Sequence, residues 1–286
     1  MESISELIGK ARAAQAEFEK TATQESVDAI VKAIAKVIYD NADPLAKMAA
    51  EESGMGVYED KINKNKGKAR VIWNFLKDKK SVGVINRDEK TCITEVARPM
   101  GVIAAITPCT NPIVTPMCNA MYAIKGRNAI IIAPHPRAKK CAKVVTDLFR
   151  KEIEKQGAPA DLVLLVEEPS TALSAELMSK CDVVVATGGM GMVKAAYSSG
   201  KPAYGVGAGN VQCIIDRGVN YAEAAPKIIE GRRFDNGIIC SGEQTIILPK
   251  EDYAEIIEIF VKNGCAYIEK PEDVEKLKKT LFTITE

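Results

Sequence analysis

Histidine is nearly absent from this chain: His135 is the only one in 286 residues. The eight cysteines, at positions 92, 109, 118, 141, 181, 213, 240 and 265, contain no C-x-x-C pair. A zinc site needs such clusters, so no metal is expected. Charge of one sign is also lacking. The net charge is +1, which removes the case for bulk attraction to nucleic acid or to a membrane surface. No apolar stretch reaches about 18 residues, the length that crosses a bilayer. The segment Met1-Glu2-Ser3-Ile4-Ser5-Glu6-Leu7-Ile8 has no basic region followed by an apolar run, which reads against a secretory signal. Several cysteines sit in apolar, strand-like runs, as reduced cytoplasmic cysteines do. What the chain does have is 47% hydrophobic and 27% charged residues, the composition of a soluble globular protein. The length suits one large or two modest domains.

Residues 1 to about 80 read as helices. Val27, Ile30, Val31, Ile34, Val37 and Ile38 recur on one helical face. Asp43-Pro44 suits a helix start and Gly54 a stop. A basic helix is expected from about Asp60 to Lys80, with Ile62, Val71, Ile72 and Phe75 as its core contacts. Its Lys-rich run, Lys61 to Lys68, reads as a solvated face, with phosphate contact as the less favoured alternative. Ser81–Ile85 and Thr91–Val96 read as a hairpin, which needs a further surface to be stable.

From 101 to about 216 continuous apolar strands alternate with helices. The strands are Val102–Ile106, Ala129–Ala133, Leu162–Val166, Val183–Ala186 and Val211–Ile215. Continuous runs indicate strands covered on both faces. The fold class expected is α/β: a doubly wound parallel sheet with an N-terminal helical region, a β-hairpin and the start of a second α/β domain. The boundary is expected between residues 232 and 233. Beyond it come a strand at Thr245–Leu248, a helix at Tyr253–Val261, a short strand at Ala266–Ile268 and a helix at Val274–Leu281.

Five stretches could carry chemistry. In Phe234-Asp235-Asn236-Gly237-Ile238-Ile239-Cys240-Ser241-Gly242, turn residues flank a cysteine, which could face a cleft or be a small buried residue. In Ile106-Thr107-Pro108-Cys109-Thr110-Asn111-Pro112, Asn111 follows a buried strand and could simply cap or turn the chain. In Val183-Val184-Val185-Ala186-Thr187-Gly188-Gly189, a strand runs into glycines and then a helix whose first N–H groups could face a pyrophosphate. The same glycines also fit a tight turn without ligand. Pro134-His135-Pro136-Arg137 closes another strand with a basic cluster. His135 between two prolines reads as a loop residue rather than a base. Tyr204-Gly205-Val206-Gly207-Ala208-Gly209-Asn210 permits close backbone approach. Arg232 and Arg233 precede the cysteine segment. They are either solvated or positioned to lower a thiol pKa or bind an anionic substrate.

Taken in chain order, these motifs resemble the aldehyde dehydrogenase superfamily. The resemblance is to its CoA-acylating branch, which includes acylating succinate-semialdehyde dehydrogenases and the aldehyde half of bifunctional alcohol–aldehyde dehydrogenases. It covers essentially the whole chain. It implies that Cys240 attacks an aldehyde, that Asn111 and the Cys240 N–H hold the oxyanion, and that the thioester passes to coenzyme A. Thr107, Pro108, Pro134, His135, Arg137, Thr187, Gly188, Gly189, Gly205 and Gly207 would contact NAD or NADP. Hydrolytic relatives have a Lys where Ala133 stands and a water-activating Glu where Gly205 stands. Their absence implies transfer to a thiol and leaves NAD versus NADP open. The Arg232–Arg233 pair implies an anionic aldehyde such as succinate semialdehyde. Sulfoacetaldehyde and acetaldehyde or propionaldehyde are the alternatives. The hairpin implies a homodimer or larger assembly. The location implied is the cytoplasm, free or inside a bacterial microcompartment. Family members are longer, so a truncated chain of low turnover is expected. A dinucleotide-binding or assembly module is the rival class, and a hydrolytic enzyme with another base is a further one.

Overall fold

The structure is a computed structural model and describes residues 2–282. The chain divides into two compact units, Met1–Gly209 and Asn210–Glu286.

The first unit opens with four helices: α1 (Ile4–Thr21), α2 (Gln24–Asp40), α3 (Ala42–Ser53) and α4 (Tyr58–Leu76). Capping boxes built on Ser3 with Glu6 and on Thr23 with Ser26 start the first two. Each satisfies amide donors that a helix start leaves without partners. Val27, Ile30, Val31, Ile34 and Ile38 are buried along α2, as its spacing predicts. Helix α3 ends at Gly54 with φ +64°.

Helix α4 departs from expectation. Val71 and Phe75 are exposed, while Lys61, Lys64, Asn65, Ala69 and Leu76 are buried. Asn65 donates to the Ala42 carbonyl and Lys64 to Asn111, so polar contacts, not apolar spacing, set this helix's rotation. The Lys-rich run is therefore only partly a solvated face.

The hairpin forms from β1 (Val84–Asp88) and β2 (Ile93–Val96). Then come β3 (Val102–Thr107), α5 (Val114–Lys125), β4 (Ala129–Pro134), α6 (Lys139–Lys155), β5 (Val163–Leu165), α7 (Thr171–Lys180), β6 (Val183–Thr187), α8 (Met190–Tyr197) and β7 (Ala203–Val206). The five strands of this sheet are parallel in the order β5-β4-β3-β6-β7. Every residue of β4 is buried, and all but Ile103 of β3, which explains their unbroken apolar sequences. The chain steps outward from β3 to β4 and β5, then returns to the other side of β3 as β6. That reversal lies between β3 and β6.

The expected strand at 211–215 is corrected in its partner. As β8 (Val211–Ile214) it pairs with β9 (Glu243–Ile247) in the second unit, not with the five-stranded sheet. The division into units therefore falls at 209/210 rather than 232/233. The fifth strand of the large sheet is instead β7, within the Gly-rich run. The second unit also holds α9 (Tyr221–Arg233), α10 (Tyr253–Lys262) and α11 (Pro271–Leu281). Its small core is Ile215, Ala225, Ile228, Ile256 and Phe260. The strand expected at Ala266–Ile268 does not form: residues 265–270 are irregular, with Tyr267 and Ile268 exposed.

Candidate active site

In an open parallel sheet, ligands bind beyond the carboxyl ends of the strands, where the strand order reverses. The first unit gathers most of the expected residues there. Thr107 closes β3 and stands in register with Pro134, the last residue of β4. Thr187 closes β6 beside Val206 of β7. Gly188 and Gly189 follow, and Gly189 is the extended N-cap of α8. A Cβ on Gly189 would meet nothing within 4 Å, so its backbone faces open space at a helix N-terminus. Such a terminus suits an anionic phosphate.

Pro108, Cys109 and Thr110 lead from β3 to Asn111, ahead of α5. Asn111 is half-buried. Its Oδ1 accepts from Lys64 Nζ at 2.8 Å, and its Nδ2 donates to Thr110 Oγ1 at 3.2 Å. Lys64 is 6% exposed. A cavity of about 10 Å³ is lined by Lys61, Lys64, Asn65, Thr110 and Asn111.

His135 and Arg137 are exposed beyond β4. His135 Nδ1 accepts from the Arg137 N–H at 3.1 Å, so the ring caps a short 3-10 turn. The Arg137 guanidinium donates to the Ser53 carbonyl, which ties this turn to the end of α3.

Gly205 and Gly207 let α8 close onto β7. A Cβ on Gly205 would lie 2.8 Å from both Val193 Cγ1 and Tyr197 Cε2. One on Gly207 would lie 2.5 Å from Met190 Sδ. Tyr197 also clasps the edge strand: its hydroxyl accepts from the Gly205 N–H at 3.2 Å and donates to the Gly205 carbonyl at 3.4 Å.

In the second unit, the end of α9 runs into a 3-10 turn at Phe234–Gly237. Asp235, Asn236 and Gly237 have φ of 53°, 54° and 70°. Three consecutive left-handed residues demand the Asp-Asn-Gly chemistry seen in the sequence. Asp235 is fully buried. Arg232 Nη1 donates to the Gly237 carbonyl at 3.2 Å, so this exposed arginine braces the turn. Arg233 is also exposed. The Gly242 N–H then donates to the Ile239 carbonyl at 3.2 Å, which closes a β-turn with Cys240 at its first central position. Cys240 is exposed. A Cβ on Gly231 of α9 would lie 2.4 Å from Glu243 Oε2, an oxygen that is buried without a hydrogen-bond partner. Lys227, Glu230, Phe234, Ile239 and Ser241 join Gly231 and Glu243 around a 370 Å³ cavity.

The cysteines differ in environment. Burial pushes the Cys118 thiol up to about 11. Burial, joined by the Glu52 carboxylate, raises Cys141, and burial raises Cys181. Such thiols are inert near neutral pH. Among the described residues no cluster of three His, Cys, Asp or Glu side chains could hold a metal. No helix among them is long and apolar enough to cross a membrane.

Residues 1–273 match the model of the aldehyde dehydrogenase family. The chain belongs to the aldehyde dehydrogenase family. This aldehyde dehydrogenase chain is 56% identical over 280 residues to the acetylating succinate-semialdehyde dehydrogenase of Clostridium kluyveri, covering 98% of the chain and 62% of that relative. It is similar to the crystal structure of an acetylating aldehyde dehydrogenase from Geobacillus thermoglucosidasius, with TM-score 0.90 and 40% identity over 98% of this chain and 62% of that one. It is also similar to a propionaldehyde dehydrogenase from Rhodopseudomonas palustris, solved with bound CoA and an acylated cysteine. There the TM-score is 0.83 and the identity 31%, over 99% of this chain and 65% of that one. The chain thus spans less than two thirds of the length of these proteins.

Three residues of this aldehyde dehydrogenase chain escaped the sequence reading. Lys64 was hidden in a basic run, Tyr197 had no motif around it, and Glu243 read as the polar start of a strand. Only the helical spacing of Lys61, Lys64, Asn65 and Ala69 signalled a buried face on α4.

Proposed function

We propose that this chain carries the nucleotide-binding and nucleophile-bearing parts of a CoA-acylating aldehyde dehydrogenase. The observation that supports it most is the exposed Cys240 on a β-turn that follows the arginine-braced 3-10 turn, in a family with an acetylating member 56% identical to this chain. In the mechanism, the Cys240 thiolate attacks the aldehyde carbonyl. The Asn111 amide and the Cys240 N–H hold the resulting oxyanion, a type of donor commonly worth about 3 kcal/mol. The nicotinamide of NAD or NADP supplies a hydride acceptor when bound. Thr107, Pro108, Pro134, Thr187, Gly188 and Gly189 would hold that dinucleotide, and the open N-terminus of α8 fits its pyrophosphate. His135 and Arg137 would flank the adenosine ribose, with Gly205 and Gly207 lining the far side. A thioester remains on Cys240 until the thiol of coenzyme A takes the acyl group. Gly205 offers no carboxylate to activate water, and the thiolate of CoA is far the better nucleophile.

The substrate proposed is a short anionic aldehyde, succinate semialdehyde first, with Arg232 and Arg233 drawing the carboxylate. Sulfoacetaldehyde and unsubstituted short aldehydes are the alternatives. The exposed Val84, Ile93 and Val96 of the hairpin support a homodimer or larger assembly, which light scattering after gel filtration would show. The test of the chemistry is to incubate the chain with succinyl-CoA and locate any acyl group by peptide mass spectrometry. Succinylation confined to Cys240 and absent in Cys240→Ser is the expected result. Acylation that survives Cys240→Ser would overturn the reading, as would product formation that is indifferent to CoA.

A further inference from the structure

A lysine that is 6% exposed is costly: its ammonium loses water and must be repaid by close polar partners. Methionine would fill the same space at no such cost. Lys64 has nonetheless been placed on the buried face of α4 with its Nζ 2.8 Å from Asn111 Oδ1. Chemistry fixes what this means for the amide. An ammonium group has donors only, so it can face the carbonyl oxygen of Asn111 and never its NH2. The carboxamide is thereby locked in one of its two flips. Its Nδ2 is turned away from α4 to the side where Thr110 Oγ1 receives one of its hydrogens at 3.2 Å, leaving the second available. Asn111 is itself only half-buried, so a wrong flip would otherwise meet little resistance.

We propose that Lys64 is the positioning residue that holds Asn111 with its NH2 presented as the oxyanion donor. This deepens the function proposed above and rests on it. The lysine acts in two ways. It selects the flip, and its charge polarises the amide so that the N–H donates more strongly. Preorganisation of this kind does nothing for a neutral ground state and helps only as charge develops. Its loss should therefore appear in the acylation rate constant rather than in the concentration of acyl-CoA needed for half-saturation.

The test compares the 286-residue wild type with Lys64→Met, Lys64→Arg, Asn111→Ala and the Lys64→Met/Asn111→Ala double variant. Selective 15N-asparagine labelling gives the Asn111 carboxamide signals, assigned by their loss in Asn111→Ala. Lys64→Met should move those signals and slow Cys240 succinylation by succinyl-CoA by roughly 10-fold or more, with half-saturation little changed. Lys64→Arg, which retains a charged donor, should recover most of the rate. In the Asn111→Ala background, Lys64→Met should have no further effect, because the two residues act as one unit. Unmoved Asn111 signals in Lys64→Met would overturn the proposal. So would additive rate losses in the double variant, or loss of folding alone explaining the slow rate, seen as a wild-type rate in Lys64→Met once rates are corrected for the folded fraction in the spectrum. If wild type itself is never acylated, the proposed function fails, and the carboxamide signals still decide whether Lys64 sets the amide.

Discussion

The two units treat their strands in opposite ways. In the first, β4 is buried along its whole length and β3 nearly so, and the residues proposed to hold the dinucleotide stand at the ends of these rigid strands. In the second, β8 and β9 are half-exposed, with Ile214 71% and Ile247 48% exposed. Cys240 is held there not by core packing but by backbone geometry: three left-handed residues, an arginine brace and the close passage of Gly231. One unit is made precise by burial, the other by turn chemistry, and substitutions should separate the two.

The largest effect is expected for Ile131→Ala in the middle of β4, where the side chain is fully buried. Chemical denaturation should show a loss of about 2–5 kcal/mol, the range for large-to-small changes in a packed core. The matching change Ile247→Ala, at a 48% exposed position of β9, should cost less than about 1 kcal/mol. Similar losses at the two sites would erase the contrast. Next comes Gly237→Ala, where φ is +70°. A side chain there should cost about 1–2 kcal/mol and make the segment around Cys240 cleave faster in limited proteolysis.

Thiol labelling sharpens the comparison further. Near pH 8, a thiol held at about 11 is ionised in only about one molecule in a thousand, so Cys118 should resist iodoacetamide. Cys141 and Cys181, also raised by burial, should do the same, while the exposed Cys240 and Cys92 label early. Peptide mass spectrometry gives the order. The smallest effect is on stability at high pH. The Cys118 thiol titrates higher folded than unfolded, so its neutral form stabilises the fold below the usual thiol value near 9. That contribution is lost as pH rises from about 9 through about 11. A melting-temperature profile should fall across that window, and Cys118→Ala should flatten it.

Much of this was legible in the sequence. The unbroken apolar runs of β3, β4 and β6 identified covered parallel strands, and Asp235-Asn236-Gly237 announced the turn that the dihedrals show. The failures share a cause. A strand's partner is a long-range property, so Val211–Ile214 gave its type but not its sheet. The edge strand β7 was hidden because its glycines exist to admit α8, not to make an apolar pattern. Lys64 was read as solvated because a lysine's burial is decided by its acceptor, here Asn111, 47 residues further along the chain.

The Tyr197 clasp on Gly205 bears on what position 205 can carry. An aromatic ring and Val193 crowd the place where the first carbon of any side chain at position 205 would go. A larger residue at position 205 alone would pry α8 from the edge strand. A side chain at position 205 therefore needs accompanying changes at both Tyr197 and Val193, so the packing of the edge strand itself limits what this position can carry.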